Sequence, residues 1–556
     1  MNITHLHNTG ILIPLWTLSH RGDQGIGDIG SLRALLPWIA EAGLTFVQLL
    51  PINETDSTFS PYSAISSVAL DPMYLDLSKI PGIEVTPVEK TDRVNYPEVK
   101  VRKDKALRAA FIHFKKSGNG SDSFLEFQQK EASWLMSYCG FRVLMHLEGE
   151  RSQWERWSPE YNTRQKATRY IIKHTEEENA FNDEAFYRAW LQWHCHTQWK
   201  ELNNYAQSLG IKLMGDIPVG VSYNSADVFY EAENFDLNWS GGAPPETFFK
   251  DDQFAIKWGQ NWGVPTYNDD FLRQTNFAWW KRRVRKHTEI FSMFRIDHVL
   301  GLYRFYSFPW QPSRNAEFLP LSKNEAKELT GGDLPGFKPH PDDTTVQRAH
   351  NLLRGDEILT HLQEAAPNAE IIGEDLGLVP EYVRPHLEEK EIAGFRICHW
   401  ETDKRGKLIS PSKFPYQTFA TFSTHDHPPI STVWNEYRSD LDSKDSDTRK
   451  VARKKIKLLA QIVGLEIPQR TPKSQDIPEF TPDHKWRMLD YLSSANSRFR
   501  AFMITDLLDD PARFNTPSTV GSHNWTHRIQ PKVEEFYTSP DLKEIQERLK
   551  LLTGHS

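Results

Sequence analysis

Short apolar runs recur along the chain, and most of them end in Gly, Pro or a polar residue. Short runs with such boundaries are typical of buried β-strands, because strands are shorter than helices and are flanked by turn residues. The pattern therefore predicts eight strands, which lie at 11–17, 44–50, 213–219, 292–297, 370–373, 393–397, 417–423 and 501–506.

Segments with a helical pattern lie between many of these strands. Residues 31–43, SLRALLPWIAEAG, begin at Ser31, a predicted N-cap, and residues 185–210 form a second segment that also stops at a glycine. Alternating strands and helices favour a (β/α)8 TIM barrel, an α/β fold. An open, doubly wound sheet is the alternative, but the glycines of GDQGIGDIG (22–30) lack the strand–turn–helix placement of a dinucleotide-binding loop.

Three intervals between predicted strands are too long for ordinary barrel connections. They lie at about 78–200, 305–360 and 435–495, and they must hold extra structure because long structureless loops are rare in compact domains. We expect largely helical insertions in a single catalytic barrel that spans 1–556. Within the second interval LPGFKPHPDD is interpreted as a loop, and within the third RSDLDSKDSDTRKVARKKIKLLAQ is interpreted as the charged start of a solvated helix.

Composition narrows the class of protein. Lys and Arg number 66 against 74 Asp and Glu, a net charge of -8, and this mild acidity argues against a nucleic-acid partner. The three cysteines include no CxxC pair, which indicates reduced thiols. The first residues do not resemble a signal peptide, and no apolar run is long enough to span a membrane. We therefore expect a soluble cytoplasmic protein without a membrane partner.

Acidic residues stand at the ends of predicted strands. Asp297 ends the strand in FSMFRIDHVLG, Glu374 follows the strand in IIGEDLG, and Asp426 follows the strand in FSTHDH. Asp216 lies within a fourth strand, in GDIPVG. Because the carboxyl ends of parallel strands form the active face of a barrel, we expect these acids to meet in one polar cleft.

Each acid also has an ordinary structural explanation. A single Asp at a strand end more often caps a helix or pairs with a cation. Asp297 could pair with Arg295, which precedes it by two residues and shares its face of the strand. Such an arginine would keep the carboxylate ionised, which suits a nucleophile as well as a structural pair. Several acids on one predicted rim make a catalytic site the better interpretation.

Carboxylates alone suffice for one familiar reaction, the cleavage of glycosidic bonds. One acid protonates the leaving oxygen, and a second acts as base or nucleophile. His298 and His425 flank two of the acids; each could form a structural hydrogen bond or bind sugar hydroxyls. Asp and His can also bind zinc, but the sequence has no HExxH motif or paired-histidine spacing. We therefore expect neither a metal nor a cofactor.

Nine short motifs follow one another along nearly the whole chain, and together they are specific. They are GIGDIG (25–30), QLLPINETDSTFSPYSAISSVALDPMYLDL (48–77), GDIPVGVSYNSADV (215–228), GAPPETF (242–248), GQNWGVPTYN (259–268), FRIDHVLG (294–301), GEDLG (373–377), STHD (423–426) and NTPST…NW (515–525). In these motifs the chain resembles the amylomaltases, or 4-α-glucanotransferases, of glycoside hydrolase family 77.

The resemblance implies a (β/α)8 barrel with insertions and a role for each matching residue. Asp297 matches the nucleophile, Glu374 the general acid/base and Asp426 the stabiliser of the transition state. Arg295 would orient Asp297. The residues that would line the sugar site are Tyr62, Asp216, His298 and His425. Trp262 matches the mobile loop that covers the bound glucan, where it either contacts the glucan or is a buried anchor for the loop.

The implied activity is transfer of α-1,4-glucan segments to the 4-hydroxyl of glucose or another glucan, by a retaining double displacement. An α-1,4-glucan hydrolase and a non-catalytic glucan-binding protein on the same barrel are the alternatives. The chain departs from the family's pattern at three positions: His427 follows STHD in place of a small polar residue, Ser518 replaces a glycine and His527 replaces a tryptophan. These departures bear on which acceptors and substrate lengths the chain prefers. They do not change the three acids.

Overall fold

The structure is a computed structural model of the 556-residue chain. It describes residues 7–118, 121–177, 179–246, 252–468, 471–517, 519, 521 and 523–554.

A closed parallel barrel forms the centre of the molecule. In the described part of the chain, eight strands close in the order β1-β12-β11-β10-β9-β6-β3-β2, which establishes the predicted (β/α)8 barrel. The barrel strands are β1 (Asn8–Leu12), β2 (Phe46–Gln48), β3 (Lys212–Pro218), β6 (Met293–Asp297), β9 (Glu370–Gly373), β10 (Ala393–Ile397), β11 (Thr418–Thr421) and β12 (Phe499–Met503).

All eight predicted strand segments overlap barrel strands, although several of the predicted ends differ from the observed ones, most of all in two segments. The segment predicted at 11–17 stops being a strand at Leu12, because Pro14 leads into the 3-10 helix Leu15–Thr17. The segment predicted at 501–506 ends at Met503, where a short helix begins. In both cases apolar residues continue past the strand because they stay buried after the backbone changes conformation.

α-Helices occupy the intervals between consecutive barrel strands except that between β10 and β11, where the structure has the 3-10 helix Pro411–Lys413. The N-cap predicted at Ser31 is wrong: Asp28 caps that helix, and Ser31 is its third residue, closing a capping box with N–O distances of 3.0 and 2.8 Å. The helices of the described residues are α1 (Ile29–Glu41), α2 (Tyr96–Ser117), α3 (Ser121–Leu147), α4 (Arg164–Glu177), α5 (Asn179–Ser208), α6 (Ala226–Tyr230), α7 (Gln253–Lys257), α8 (Asp269–Gln274), α9 (Ala278–Thr288), α10 (Asn315–Phe318), α11 (Lys323–Leu329), α12 (Thr345–Ala365), α13 (Val383–Glu389), α14 (Ile430–Asp440), α15 (Ser446–Ile462), α16 (Pro482–Ser493), α17 (Ile504–Leu507) and α18 (Pro540–Thr553).

The three long intervals hold the expected extra structure. The first contains α2 to α5, and the charged stretch of the third forms α15, as predicted. The second differs from the expectation, because Gly336–Lys338 within LPGFKPHPDD is a strand and not a loop. It pairs with Phe305–Phe308 in an antiparallel sheet of order β5-β4-β7-β8. That sheet comprises β4 (Phe235–Ala243), β5 (Gln260–Tyr267), β7 (Phe305–Phe308) and β8 (Gly336–Lys338).

The barrel interior changes from apolar to charged along single strands. Met214 and Met293 are fully buried in the apolar cluster that fills the barrel. Side chains two residues apart share a face of a strand, so Asp216 follows Met214 inward, and Arg295 and Asp297 follow Met293. The charged site therefore lies directly above a packed apolar core, at the carboxyl ends of the strands.

Candidate active site

The parallel strands bring the predicted acids together at one end of the barrel. Asp216 on β3 is in register with Arg295 on the adjacent β6. Asp297 ends β6, and Glu374 comes immediately after the adjacent β9, one position beyond the pair Ile296–Gly373. Asp426 follows β11 and lines the same two cavities as Asp297 and Glu374. The three acids predicted to be catalytic thus share one cleft.

A buried arginine fixes the orientation of the acid at the end of β6. Arg295 donates to both carboxylate oxygens of Asp216 at 3.0 and 2.7 Å, and its Nη2 also donates to Asp297 Oδ1 at 2.7 Å. The same nitrogen lies 2.9 Å from the Tyr62 hydroxyl, which donates to Asp216 at 2.7 Å. Arg295 is 2% exposed, so its charge acts on these groups with little screening by solvent.

Burial raises the pKa of Asp297 to about 6, and the guanidinium of Arg295 opposes that rise. Asp216 and Asp426 act in the same direction as burial, since their negative charges disfavour a further one. The arginine is therefore the group that keeps the Asp297 carboxylate ionised at neutral pH. This is the electrostatic setting that an attacking carboxylate needs.

Glu374 has the opposite protonation state at neutral pH. Burial raises its pKa to about 8, and the nearby charge of Asp297 adds to the rise. The backbone N–H groups of His298 and Leu376 each donate to one of its oxygens at 2.8 Å. His298 holds a left-handed conformation with φ 51°, which is uncommon outside glycine and turns this N–H toward the acid. A fixed, protonated carboxyl next to an ionised one fits acid/base chemistry.

The third acid is held ionised by its neighbours. Burial would raise the pKa of Asp426, but His425 and a hydrogen bond from Asn515 hold it well below its usual range. His425 Nε2 lies 3.2 Å from one oxygen, and the Asn515 amide donates to the other at 2.6 Å. His425 also lies 3.0 Å from the Tyr62 hydroxyl, and the two rings stack. A permanent negative charge beside the other two acids can stabilise a developing cation.

Two cavities, of about 530 and 500 Å³, meet at these acids. Tyr62 and Trp525 line the first, which we call the Tyr62 cavity; Trp400 and His427 line the second, the Trp400 cavity. Trp262 lines both, is 40% exposed and packs edge-to-face on His298 with ring centroids 5.1 Å apart. Together the cavities form a groove that an extended ligand could follow across the acids.

Comparison with known proteins identifies the family. A family model described as 4-alpha-glucanotransferase, glycoside hydrolase family 77, matches residues 13–534. The chain belongs to this family.

Relatives of known name agree with this assignment. A 4-alpha-glucanotransferase of Chlamydia caviae is 31% identical over 95% of this chain and 92% of its own length. One of Thermus thermophilus is 26% identical over 92% of each chain. An amylomaltase from Streptococcus agalactiae, solved with acarbose, superposes with a TM-score of 0.76, 22% identity and coverage of 98% and 99%. The chain is thus a glucanotransferase enzyme on a TIM barrel.

Two residues of this glucanotransferase site were not predicted individually. Asn515 holds Asp426, and Trp525 packs against the rings of Tyr62 and His425 with centroids 5.8 and 5.9 Å away. Both belong to NTPST…NW, far along the chain from the acids. The motif indicates that this segment is part of the family's pattern. That the segment lies against the carboxyl ends of the barrel strands depends on tertiary packing, which no local sequence pattern predicts.

The three departures from the family pattern have different positions. His427 lines the Trp400 cavity, where the Thr424 hydroxyl lies 2.8 Å from its Nδ1 and burial lowers its pKa to about 4. His527 instead pairs with Asp510 at 2.7 Å. Ser518 lies outside the described residues. Only the first of the two described departures therefore lines the groove formed by the two cavities.

The described residues of this glucanotransferase contain no group of three or more His, Cys, Asp or Glu side chains placed to hold a metal ion. Across the same residues, none of the helices is both long enough and apolar enough to cross a membrane.

Proposed function

We propose that this enzyme transfers α-1,4-glucan segments by a retaining double displacement in which Asp297 is the nucleophile, Glu374 the general acid/base and Asp426 the stabiliser of the transition state. One observation carries the proposal: Arg295 holds Asp297 ionised, while burial and Asp297 itself hold Glu374 protonated. A retaining glycosidase mechanism requires this pair of opposite protonation states.

In the first step the Asp297 carboxylate attacks the anomeric carbon of a bound glucan. The bond from that carbon to the glycosidic oxygen breaks, and Glu374 gives its proton to the departing oxygen, so the leaving glucan carries a free 4-hydroxyl. The positive charge that builds on the sugar lies beside Asp426, whose lowered pKa keeps it negative throughout. The product of the step is a glucosyl ester on Asp297.

In the second step a new sugar hydroxyl enters. Glu374, now ionised, takes the proton of the acceptor's 4-hydroxyl as its oxygen bonds to the anomeric carbon, and the bond to Asp297 breaks. Two inversions restore the α configuration, and the released carboxylates return to their starting protonation states. Glucose and longer glucans both present such a hydroxyl, so both are proposed as acceptors.

Four further side chains support the sugar in this proposal. In the proposal Tyr62, Asp216, His298 and His425 lie around the bound glucosyl unit. His425 contacts Asp426, and the His298 N–H contacts Glu374. Tyr62 and Asp216 reach Asp297 through Arg295. Trp262 lies at the junction of both cavities with a large exposed ring face. A glucan that stacks on this ring would displace water from the ester, which favours transfer over hydrolysis.

The proposed substrates are neutral α-1,4-glucans, including maltooligosaccharides, amylose and glycogen-type chains. The Streptococcus agalactiae amylomaltase of matching fold was solved with acarbose, which supports a saccharide as the ligand in this proposal. A cytoplasmic location is proposed as well. The free thiols Cys139, Cys195 and Cys398, all buried, are consistent with a reducing compartment.

Incubation with maltotriose tests the proposal. Transfer predicts glucose together with maltotetraose, maltopentaose and longer products, whereas hydrolysis yields only glucose and maltose. Thin-layer chromatography separates the two results. Asp297→Asn should abolish turnover and still bind maltotriose in a calorimeter. Wild-type protein that binds glucan without converting it would contradict the catalytic roles proposed for the three acids.

A further inference from the structure

A third cavity adjoins the active-site groove and is built largely by the third insertion. Its volume is about 750 Å³, and it shares Trp400, His427 and Arg513 with the Trp400 cavity. Its far wall consists of residues from α14 and α15, including Val433 on the first helix and Val451 on the second. A chain leaving the catalytic acids on this side would pass Trp400 and His427 and enter it directly.

The border between the two cavities is a pair of rings. Trp400 packs edge-to-face on His427 with centroids 4.8 Å apart, and it keeps 38% of its surface exposed. The contact of His427 with the Thr424 hydroxyl, at 2.8 Å, fixes the imidazole that supports the indole. An indole held in this way offers a rigid flat face, the kind of surface on which the C–H face of a sugar packs.

The charges that line the third cavity disfavour anionic ligands and suit a neutral ligand with many hydroxyl groups. Four carboxylates line it against two cationic side chains, so a phosphorylated compound would meet net repulsion. Apolar and aromatic side chains cover the space between the charges. The charged members of the lining are Glu436, Asp440, Asp445, Asp447, Lys455 and Arg513.

One polar group in this lining lacks a protein partner. His399 is 6% exposed and lines the cavity, and none of the described residues forms a hydrogen bond with its Nδ1. Its ring is held between Phe422, on which it stacks, and Trp400. A buried imidazole nitrogen without a partner is costly, and a ligand hydroxyl in the cavity would supply the missing hydrogen bond.

We propose that the third cavity binds the more distant glucose units of a long acceptor glucan, so that the insertion formed by α14 and α15 selects acceptor length. This inference rests on the proposed function. If Tyr62 marks the site of the bound glucosyl unit, the acceptor must approach Glu374 from the Trp400 cavity. Its reducing end then extends past Trp400 toward His399 and the wall formed by Val433 and Val451.

Filling the cavity tests the inference. We would replace Val451, which is 53% exposed on α15, with Trp and measure transfer from excess maltotriose to acceptors that carry a fluorescent tag at the reducing end. Acceptors would range from glucose to maltoheptaose. In Val451→Trp, the ratio of KM for maltoheptaose to KM for glucose should rise about tenfold, which corresponds to the loss of about 1.4 kcal/mol of binding.

Val346→Trp provides the matched control, since Val346 is also an exposed valine on a helix, α12, away from this cavity. It should leave the ratio unchanged. His399→Phe keeps a ring for the stack on Phe422 and removes Nδ1, and it should raise the same ratio. Identical acceptor-length curves for wild type, Val451→Trp and His399→Phe would overturn the inference. A wild-type protein without transfer to any acceptor would instead overturn the proposed function.

Discussion

Glu374 and Asp506 are both buried carboxyls at the same end of the barrel. The first follows β9, and the second lies in α17 just after β12. Burial is the largest cause of a raised pKa in each, to about 8 in Glu374 and about 7 in Asp506. By protonation behaviour alone the two residues would be equal candidates for a catalytic acid.

The contacts of Glu374 and Asp506 show that the two carboxyls have different roles in the structure. Asp506 is 4% exposed and accepts hydrogen bonds from the Ile430 N–H at 2.8 Å and the Ser423 hydroxyl at 3.3 Å, so it anchors the start of α14. Glu374 lines both halves of the catalytic groove and lies within the electrostatic influence of Asp297. A perturbed pKa therefore marks burial, and access to a cavity with a second ionisable group is what marks a catalytic acid.

The largest expected difference between these two classes of acid is in turnover. Asp297→Asn removes the proposed nucleophile, and kcat for maltotriose disproportionation should fall by at least about 10⁴-fold. Asp506→Asn removes a buried ionisable carboxyl that lines neither cavity of the groove, and it should leave kcat within about threefold of wild type. Product release measured by chromatography checks both variants. Comparable losses in the two variants would show that burial, and not contact with the substrate, governs activity.

The sequence predicted much of this site because its residues follow strand periodicity. Arg295 and Asp297 are two positions apart on one strand, and the structure confirms that they share a face and form an ion pair at 2.7 Å. All eight barrel strands were also predicted within a few residues, since buried parallel strands are continuous apolar runs with turn residues at their ends.

Other parts of the structure could not be predicted in this way. The strand Gly336–Lys338 was missed because it is only three residues long, lies in a stretch rich in Pro and Asp, and depends on pairing with β7. Asn515 reaches Asp426 from a segment 89 residues away. Such contacts arise from tertiary packing, and a single sequence contains no periodic signal for them.

A second prediction concerns the charge that distinguishes Asp297 from the structural acid. Arg295→Lys keeps a positive charge but cannot form the bidentate contact with Asp216 while also reaching Asp297. We expect kcat/KM to fall about 100-fold. The acidic limb of the pH profile should move to higher pH, because Asp297 would be held ionised less strongly.

Arg498→Lys is the matched control for that experiment. Arg498 donates through its Nη2 to both oxygens of Glu370, at 2.6 and 2.8 Å, at the opposite end of β9. Its replacement should lower stability slightly and leave the pH profile in place. An unchanged profile in Arg295→Lys would contradict the role assigned to the arginine.

A third prediction is the shape of the pH profile itself. The proposed mechanism requires ionised Asp297 and protonated Glu374, so kcat/KM should rise as pH increases through about 6 and fall as pH increases through about 8. Each limb should approach a tenfold change in kcat/KM per pH unit.

A donor that needs no acid separates the two limbs. With α-glucosyl fluoride as donor and maltose as acceptor, departure of fluoride needs no proton. Glu374→Gln should therefore retain measurable formation of the glucosyl ester and lose the alkaline limb for that step. A basic limb that persists in this variant would assign it to another group.

The smallest expected effect is on the stability of the structural acid, and its sign follows from the raised pKa. Folded Asp506 binds its proton up to about pH 7, whereas an unfolded Asp releases it near 3.9. Between these values the folded state binds more protons, so this group's contribution to the free energy of unfolding is complete below pH 4 and is lost as pH rises through 7. Asp506→Asn should therefore flatten the pH dependence of Tm over this window and raise Tm at pH 8 relative to wild type, as measured by calorimetry. Glu374→Gln, which replaces the second carboxyl of this comparison, should change Tm in the same direction while abolishing maltotriose transfer. An unchanged slope of Tm against pH in Asp506→Asn would contradict the raised pKa on which the comparison of Asp506 with Glu374 rests.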